Sequence, residues 1–360
     1  MPVHKRTLQP GQRIRVLVVD DSVVIRRLVS HALEQDPLIE VVGAAANGVI
    51  GLQRVQQLNP DVITLDIEMP EMDGLEMLRH VRQTHSHVRT IMFSTMTERG
   101  AAVTLEALSL GANDYVTKAS NEGSLDRSMV RLREDLLPRI KQFFQLAPAS
   151  DGPVDVVTVP RNDRNLPKVP PRVVVIGVST GGPNALSAIL PALPASFPLP
   201  VLIVQHMPPM FTRLLGERLD SVCPLAVREA SQGELVLGGN ILIAPGDFHL
   251  RVAPNGAQVR VCLDQSAPQN SCRPAVDALF GSIAEVYGGA VIAVILTGMG
   301  QDGLRGARML KTKGATVLAQ DEASSVVWGM PGAIANAGLA DNVLPLQQVV
   351  PEIIRRAARN

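Results

Sequence analysis

The chain has 360 residues, of which 46% are apolar and 19% charged, so it is long enough for two domains and too apolar for a disordered protein. The 34 basic and 34 acidic residues leave no net charge, which argues against nucleic acid as the main partner. Three cysteines without a Cys-x-x-Cys motif suit a reducing compartment, so we expect a cytoplasmic protein. We expect neither a signal peptide nor membrane insertion, because the N-terminus lacks an apolar run and no stretch of about 18 apolar residues occurs.

The first part of the chain alternates short Val- and Ile-rich runs with segments in which apolar residues recur every three to four positions. This pattern predicts strands at 15–20, 41–45, 62–66, 90–94 and 114–117, and helices near 23–34, 48–58, 73–83, 98–109 and 122–143. Regular alternation of buried strands and helices is typical of a parallel, doubly wound sheet. We therefore predict one α/β domain over residues 13–140.

Acidic residues and one lysine follow the ends of these predicted strands. Asp20 and Asp21 end the first strand, Asp66 ends the third, Ser94 ends the fourth and Lys118 follows the fifth. The carboxyl ends of parallel strands share one rim, so we expect these side chains to lie together. Neighbouring carboxylates repel one another unless a cation binds, and Mg²⁺ prefers oxygen ligands. The rim is predicted to hold Mg²⁺ beside a carboxylate that accepts a phosphoryl group; helix-capping aspartates beside a surface lysine are the alternative.

Four motifs of this part resemble those of response-regulator receiver domains. They are LVVDDS at 17–22, LDIEMPEMDG at 65–74, IMFST at 91–95 and GANDYVTK at 111–118. The resemblance implies a flavodoxin-like, five-stranded parallel fold. The sequence departs from the receiver pattern at Ala119, where receivers usually have proline, so the turn after the lysine is expected to differ in shape.

The same resemblance implies roles for the residues at the rim. Asp66 is implied to be phosphorylated by a sensor histidine kinase, and Mg²⁺ is implied to be held by Asp20, Asp21 and Asp66. Ser94 and Lys118 are implied to sense the phosphoryl group.

A proline-rich segment separates the two parts of the chain. Six prolines fall within the 24 residues from Pro148 to Pro171, with little apolar periodicity. Such a composition predicts an extended, semi-rigid linker, which we place at 141–170. A long loop inside one domain is the alternative, but structureless loops of this length are uncommon in compact domains.

The part after the linker again alternates apolar runs and helical patterns. Strands are predicted at 173–178, 200–205, 241–245, 290–297 and 316–319, and helices near 183–192, 210–220, 274–287, 301–313 and 346–358. Residues 249–262 alternate in polarity and turn at Asn255-Gly256, which predicts an antiparallel β-hairpin grafted onto the sheet. We predict a doubly wound, mostly parallel α/β domain over residues 171–358.

The segment VVVIGVSTGGPNAL, residues 173–186, predicts a strand, a tight turn and a helix. It contains a Gly-x-Ser-x-Gly motif around Ser179, and Pro183 suits the first turn of the helix. The glycines allow the chain to reverse sharply, which exposes Ser179 near a helix N-terminus as a candidate nucleophile. A phosphate-binding glycine loop is the alternative, and the turn alone does not decide between them.

A serine nucleophile needs a base that takes its proton. His206 directly follows the predicted strand 200–205, at the same rim as Ser179, whereas the other histidine after the linker, His249, lies in the predicted hairpin. His206 is therefore the better candidate for the base.

The base in turn needs a carboxylate that fixes its tautomer. Asp302 lies in the glycine-rich turn after the predicted strand 290–297, and the Met299 N–H of that turn can serve an oxyanion hole. Capping of the following helix is the alternative role of Asp302. The chain order serine, histidine, aspartate differs from that of α/β-hydrolases and argues against that family.

This part of the chain resembles the catalytic domain of the chemotaxis protein-glutamate methylesterases. The matching blocks are IGVSTGGPNAL at 176–186, VQHMPPMFT at 204–212, IAPGDFHL at 243–250, RPAVDALF at 273–280, LTGMGQDGLRG at 296–306 and WGMPGAIANAG at 328–338. The resemblance implies that Ser179 is the nucleophile, His206 the base and Asp302 its orienting acid. It also implies that Thr180 and Met299 bind the reacting carbonyl.

Together, the two resemblances imply a phosphorylation-regulated hydrolase. Its substrate would be the γ-methyl ester of glutamate on chemoreceptor cytoplasmic domains, which it cleaves to methanol without a cofactor, and it would also deamidate receptor glutamines. Mg²⁺ would serve only the phosphorylation of the receiver domain. The alternative is a non-catalytic phospho-switch whose second domain only binds a partner, and the joint presence of Ser179, His206 and Asp302 argues against it.

Overall fold

The structure, a computed structural model, describes residues 6–118, 125–146 and 169–358. The described residues fall into two units, one ending at residue 146 and one beginning at residue 169. Each unit is an α/β fold, as predicted. The domain limits and the linker at 141–170 stay predictions, since residues 147–168 lie outside the described residues, as does Ala119.

The first unit is a five-stranded parallel sheet with helices between its strands. Its elements are β1 (Arg6–Leu8), β2 (Ile14–Val19), α1 (Val23–Glu34), β3 (Ile39–Ala45), α2 (Gly48–Leu58), β4 (Val62–Asp66), α3 (Gly74–Thr84), β5 (Arg89–Ser94), α4 (Glu98–Ser109), β6 (Asp114–Thr117), α5 (Leu125–Lys141) and β7 (Phe144–Leu146). The strand order in the sheet is β3-β2-β4-β5-β6. The five predicted strands and the described parts of the five predicted helices are all present, with ends shifted by at most two residues.

Two short strands of this unit were not predicted. β1 and β7 form a separate parallel pair, from Arg6 opposite Phe144 to Leu8 opposite Leu146. Three residues are too few to show a strand periodicity, so the sequence contains no pattern that would reveal either strand. β7 lies within the range predicted as linker.

The helices of this unit that follow β2, β3, β4 and β5 each begin at a side chain that accepts a hydrogen bond from the first turn. These N-cap residues are Ser22, Asn47, Asp73 and Thr97. Short polar side chains at this position satisfy N–H groups that have no partner within the helix. Each cap lies in the segment that joins the carboxyl end of a strand to the next helix.

The second unit contains a seven-stranded sheet that is parallel throughout. Its elements are β8 (Val173–Val178), α6 (Gly182–Ile189), β9 (Val201–Gln205), α7 (Phe211–Asp220), β10 (Ala226–Glu229), β11 (Asn240–Ile243), β12 (His249–Asn255), β13 (Gln258–Asp264), α8 (Val276–Tyr287), β14 (Val291–Ile295), α9 (Leu304–Thr312), β15 (Thr316–Gln320), α10 (Met330–Asn336), β16 (Asn342–Leu344) and α11 (Leu346–Ala357). The strand order is β10-β11-β9-β8-β14-β15-β16. All six residues of β8, a central strand, are buried, as expected for a strand covered on both faces.

The predicted hairpin is present but is not part of that sheet. β12 and β13 form a separate two-stranded sheet, from His249 opposite Asp264 to Asn255 opposite Gln258, and β13 also makes an isolated antiparallel bridge from Arg260 to Leu235. The hairpin lies against α8, where the Val252 N–H donates to Ser282 Oγ at 3.1 Å. The expectation that it is grafted onto the sheet is therefore wrong, because its partner is a helix.

Two edge strands of the sheet and one short helix of this unit were not predicted. β10 and β16 are the two edge strands of the seven-stranded sheet, and neither is fully buried, so neither needs a continuous apolar run. α10 is short and has proline in its first turn. None of the helices among the described residues combines the length and the hydropathy that crossing a membrane requires.

Candidate functional site

Three aspartates meet at the carboxyl edge of the first sheet. Asp20 follows β2, Asp66 ends the neighbouring strand β4, and one ligand oxygen from each of Asp20, Asp21 and Asp66 lies within 4.8 Å of the others. Asp20 and Asp66 are buried, whereas Asp21 is exposed. The structure therefore brings together all three predicted metal ligands.

Lys118, which follows β6, forms ion pairs with the two buried aspartates. Its Nζ lies 2.7 Å from Asp66 Oδ2 and 3.0 Å from Asp20 Oδ2. Burial raises the pKa of Asp66 to about 6, and the hydrogen bond and positive charge of Lys118 limit this rise. Burial by itself would lower the pKa of Lys118, but its two carboxylate partners outweigh that effect and raise it.

One oxygen of Asp20 is suited to a divalent cation. Oδ1 accepts a hydrogen bond from the Ser22 N–H at 2.9 Å, whereas the buried Oδ2 has the Lys118 ammonium, 3.0 Å away, as its one partner within the described residues. A buried carboxylate oxygen with spare lone pairs beside two further carboxylates is a donor set that Mg²⁺ accepts. A cavity of about 220 Å³ opens beside Asp66 and is also lined by Asp21 and Lys118, so the residues present fit the ion.

Ser94 and its neighbour Thr95 occupy different positions at this rim. Ser94 is fully buried, and its hydroxyl accepts a hydrogen bond from Thr104 Oγ1 at 2.7 Å and donates towards the Gly100 carbonyl at 3.2 Å. Thr95 lines the cavity beside Asp66, although the sequence analysis did not select it. Thr95 could have been selected from the sequence, because it directly follows the predicted strand and carries a hydroxyl.

In the second unit, the pairing of two central strands places Ser179 beside His206. Val178 is opposite Gln205 in the β8–β9 pair, so the next residue of each strand emerges at the same edge. The His206 N–H donates to the Val178 carbonyl at 3.2 Å, and the Gln205 amide donates to the Ser179 carbonyl at 3.0 Å. The backbone contact of His206 and the side-chain contact of Gln205 fix the nucleophile and the base side by side.

Two glycines make room for the chain around Ser179. Gly181 has a φ of +79°, which favours glycine, and it precedes the first residue of α6. A Cβ added to Gly298, in the turn after β14, would lie 2.8 Å from the Cβ of Ser179. The turn after β14 can therefore approach the serine only if this position is glycine.

The partly buried His206 and the buried Asp302 form a hydrogen-bonded pair. His206 Nε2 lies 2.8 Å from Asp302 Oδ2, and the Asp302 side chain is 3% exposed. Burial disfavours the imidazolium, but the hydrogen bonds to Asp302 and to the Cys272 sulfur outweigh it and raise the pKa of His206 to about 10. Burial likewise opposes ionisation of Asp302, but the bonds from His206 and from two backbone N–H groups lower its pKa.

Asp302 caps a helix other than the one that follows it. Its Oδ2 accepts from the Val276 N–H at 2.6 Å, and its Oδ1 accepts from the Asp277 N–H at 3.0 Å and from the Gly303 N–H at 2.9 Å. Val276 and Asp277 are the first two residues of α8, so the carboxylate lies at the positive end of that helix. The alternative role of Asp302, capping the helix after it, is not what the structure shows.

The other ring nitrogen of His206 faces a thiol. Nδ1 lies 3.6 Å from Cys272 Sγ, and within the described part of the chain it makes no hydrogen bond to the Ser179 hydroxyl. Asp302 binds Nε2, so Nδ1 is the nitrogen left to accept a proton from Ser179. Catalytic hydrogen bonds are often unformed before the substrate binds. Cys272 was not predicted as a site residue, and nothing in its spacing along the chain indicates that role.

The remaining candidates lie around this pair. Thr180 is buried, and its carbonyl accepts from Thr297 Oγ1 at 2.9 Å. Met299 is 41% exposed in the turn before Asp302, and among the described residues no acceptor is within hydrogen-bonding range of its N–H. His249 is fully buried and accepts from the Ala275 N–H at 3.2 Å, which is a structural role away from Ser179.

Comparisons with known proteins cover both units. Residues 174–353 match the family model described as CheB methylesterase, and residues 16–129 match that of the response regulator receiver domain. A protein-glutamate methylesterase/protein-glutamine glutaminase of a Nocardioides species is 55% identical over 97% of this chain and 96% of its own length. A relative with the same name from Trichodesmium erythraeum is 49% identical over 96% of this chain and 99% of its own length.

A solved structure agrees with the second unit. The catalytic domain of Thermotoga maritima CheB methylesterase is 49% identical to this chain, with a TM-score of 0.51. The match covers 52% of this chain and 99% of that domain.

Proposed function

Because the chain belongs to the CheB methylesterase family, we propose that it hydrolyses the γ-methyl esters of glutamate side chains on chemoreceptor cytoplasmic domains, under control of its phosphorylated receiver domain. The observation that carries the proposal is the hydrogen-bonded His206–Asp302 pair beside Ser179 at one edge of the sheet. The glutaminase activity in the names of the relatives supports a second reaction of the same site, the deamidation of receptor glutamines.

Ser179 acts as the nucleophile in this proposal. Its Oγ attacks the ester carbonyl while its proton passes to His206 Nδ1, and the C–O bond to the methoxy group breaks. The imidazolium returns the proton to that leaving group, which departs as methanol. A water molecule then attacks the acyl-enzyme by the same route, which releases the glutamate carboxylate and restores Ser179.

Asp302 sets the tautomer of the base. A carboxylate that accepts from Nε2 keeps a proton on that nitrogen, so the lone pair of Nδ1 stays available for Ser179. The same negative charge stabilises the imidazolium that forms when the serine is deprotonated. Because its pKa is raised, His206 is an imidazolium in the resting enzyme. Activity therefore requires loss of the Nδ1 proton and increases with pH.

Thr180 and Met299 bind the developing oxyanion. Met299 lies in the turn that Gly298 brings against Ser179, and its unpaired N–H supports this role. Thr180 directly follows the nucleophile, as the first residue of the turn into α6. A donor aimed at the position of the oxyanion acts mainly in the transition state.

In the receiver domain, Asp66 accepts the phosphoryl group from a sensor histidine kinase. Asp20, Asp21 and Asp66 would hold Mg²⁺, which would offset negative charge on the phosphoryl oxygens. Lys118 binds a phosphoryl oxygen through the ammonium group that now pairs with Asp66. Ser94 reaches the phosphoryl group only after its hydroxyl leaves Thr104 and Gly100. A cytoplasmic location, with access to both the kinase and the receptors, belongs to the same proposal.

Methanol release from membranes that carry methylated chemoreceptors tests the hydrolase. Ser179→Ala is expected to abolish release, because it removes the hydroxyl that forms the acyl-enzyme. Ser187→Ala, in the helix that follows the nucleophile, is the matched control and is expected to release methanol at the wild-type rate. Retained turnover in Ser179→Ala, or no turnover in the wild-type protein after phosphorylation, would contradict the proposal and favour a partner-binding switch.

A further inference from the structure

A tight turn at residues 269–272 lies against the His206–Asp302 pair. Gln269 and Cys272 exchange both backbone hydrogen bonds, at 3.0 and 2.8 Å, and the two residues between them have positive φ angles. These are +50° for Asn270 and +62° for Ser271. Two left-handed central residues define the hairpin turn that favours asparagine and glycine. The turn thus holds Asn270 in a conformation that few other side chains adopt.

The Asn270 side chain reaches from the surface to two buried carboxylates. Its Nδ2 donates to Asp302 Oδ1 at 2.8 Å and to Asp277 Oδ2 at 3.1 Å. Asp302 is 3% exposed and Asp277 is 6% exposed, so their negative charges are poorly screened by solvent. Arg305 is the nearest cationic side chain to Asp277, but its Nε is 3.9 Å away and the side chain is 68% exposed.

The two carboxylates also cap each other's helices. Asp302 precedes α9 and accepts from the first two N–H groups of α8, whereas Asp277, in the first turn of α8, accepts from the Gly306 N–H of α9 at 2.7 Å. This crossed capping fixes the backbones on both sides. It leaves two like charges close together, and the Asn270 amide is the side-chain donor that both of them share.

We propose that Asn270 is a positioning residue for the hydrolysis, because its amide keeps the Asp302 carboxylate turned so that Oδ2 faces His206 Nε2. Asp302 Oδ1 has three donors, namely the Asn270 amide and two backbone N–H groups, and this leaves Oδ2 for the imidazole. Without the amide, Asp302 Oδ1 keeps only the two backbone N–H donors, from Asp277 and Gly303, so the carboxylate is held less firmly. Asp302 then loses part of its hold on the Nε2–H tautomer of His206. The inference rests on the proposed function.

The test removes the amide without disturbing the turn. Asn270→Gly keeps a residue that adopts positive φ readily, and Ser271→Gly makes the same backbone change at the neighbouring position. In the full-length, phosphorylated protein, Asn270→Gly is expected to lower kcat for methanol release by about tenfold with little change in KM, the loss typical of one hydrogen bond to a charged group. Ser271→Gly is expected to match the wild type.

A double-mutant cycle separates positioning from simple structural damage. If Asn270 acts through Asp302, Asn270→Gly lowers kcat in the wild-type background but has no further effect in Asp302→Asn. An equal loss in both backgrounds, or no loss in the wild-type background, would overturn the proposal.

A spectroscopic measurement keeps the result independent of the esterase assay. Nitrogen NMR of the His206 ring is expected to show the Nε2–H tautomer or the hydrogen-bonded imidazolium in the wild type and in Ser271→Gly. In Asn270→Gly, the hydrogen bond from Nε2–H to Asp302 is expected to be weaker. An unchanged His206 signal in Asn270→Gly would refute the role of Asn270 even if the protein proved inactive on methylated receptors. Failure of the wild type to release methanol would instead refute the proposed function alone.

Discussion

Asp302→Asn is the substitution whose effect the geometry defines most sharply. The amide has one oxygen and one NH₂ group where the carboxylate has two acceptors. If the NH₂ group took the place of Oδ1, it would face three donors, namely the Asn270 amide and the N–H groups of Asp277 and Gly303. Facing the Oδ2 side, it would meet only the Val276 N–H and His206. The NH₂ group is therefore expected to face His206.

That orientation reverses the hydrogen bond to the base. An NH₂ group donates to Nε2, which forces the proton of the neutral imidazole onto Nδ1, the nitrogen that must accept from Ser179. The buried charge that stabilises the imidazolium is lost as well. In serine hydrolases the same change of tautomer lowers kcat by about 10⁴-fold, so we expect a loss of about 10³- to 10⁴-fold. The loss is milder than that of Ser179→Ala, because the nucleophile and the oxyanion donors remain.

Methanol release at saturating methylated receptor, together with thermal unfolding, measures this effect. Asp277→Asn is the matched control, since it neutralises a carboxylate of similar burial that caps α9 but does not contact His206. We expect both variants to lose stability and Asp277→Asn to keep turnover within about tenfold of the wild type. An Asp302→Asn enzyme within tenfold of the wild type would refute the assignment of Nδ1 as the basic nitrogen.

Further predictions concern single contacts of the two sites. Cys272→Ala removes a sulfur that helps to raise the pKa of His206, so the acidic limb of the pH profile of kcat/KM should shift to lower pH; an unchanged limb would show that the sulfur has no influence. Asp66→Asn should block phosphate incorporation from a small phosphodonor and keep esterase activity at its basal level, and labelling at the wild-type level would place the acceptor elsewhere. The pKa of Asp66 is raised to about 6, so protons compete with Mg²⁺ below that pH, and calorimetric titration should show binding that tightens as pH rises through 6 and not the reverse. Gly298→Ala should lower kcat by at least tenfold, because its Cβ would lie 2.8 Å from that of Ser179; wild-type turnover would mean that the turn shifts freely.

Several features of the fold could be predicted from the order of residue types along the chain. The Val- and Ile-rich runs that became β4 and β8 were predicted to the residue, because a strand buried on both faces is mainly apolar. The sequence also predicted which residues lie at strand ends, namely Asp20, Asp66, Ser179 and His206. Those of one unit were expected to lie together because parallel strands have their carboxyl ends at one edge of the sheet. The edge strands β10 and β16 were missed because strands of four and three residues are too short to show a periodicity.

What the sequence by itself determined is therefore the α/β class of each unit, the central strands and the edge at which the polar residues gather. Only the tertiary structure decided which atoms of those residues meet. The use of Nε2 by Asp302, the approach of Cys272 to Nδ1 and the Asn270 bridge between two carboxylates each join elements that are far apart in the chain. These contacts depend on a turn with two left-handed residues and on crossed helix caps, and such geometry follows from packing and not from local periodicity.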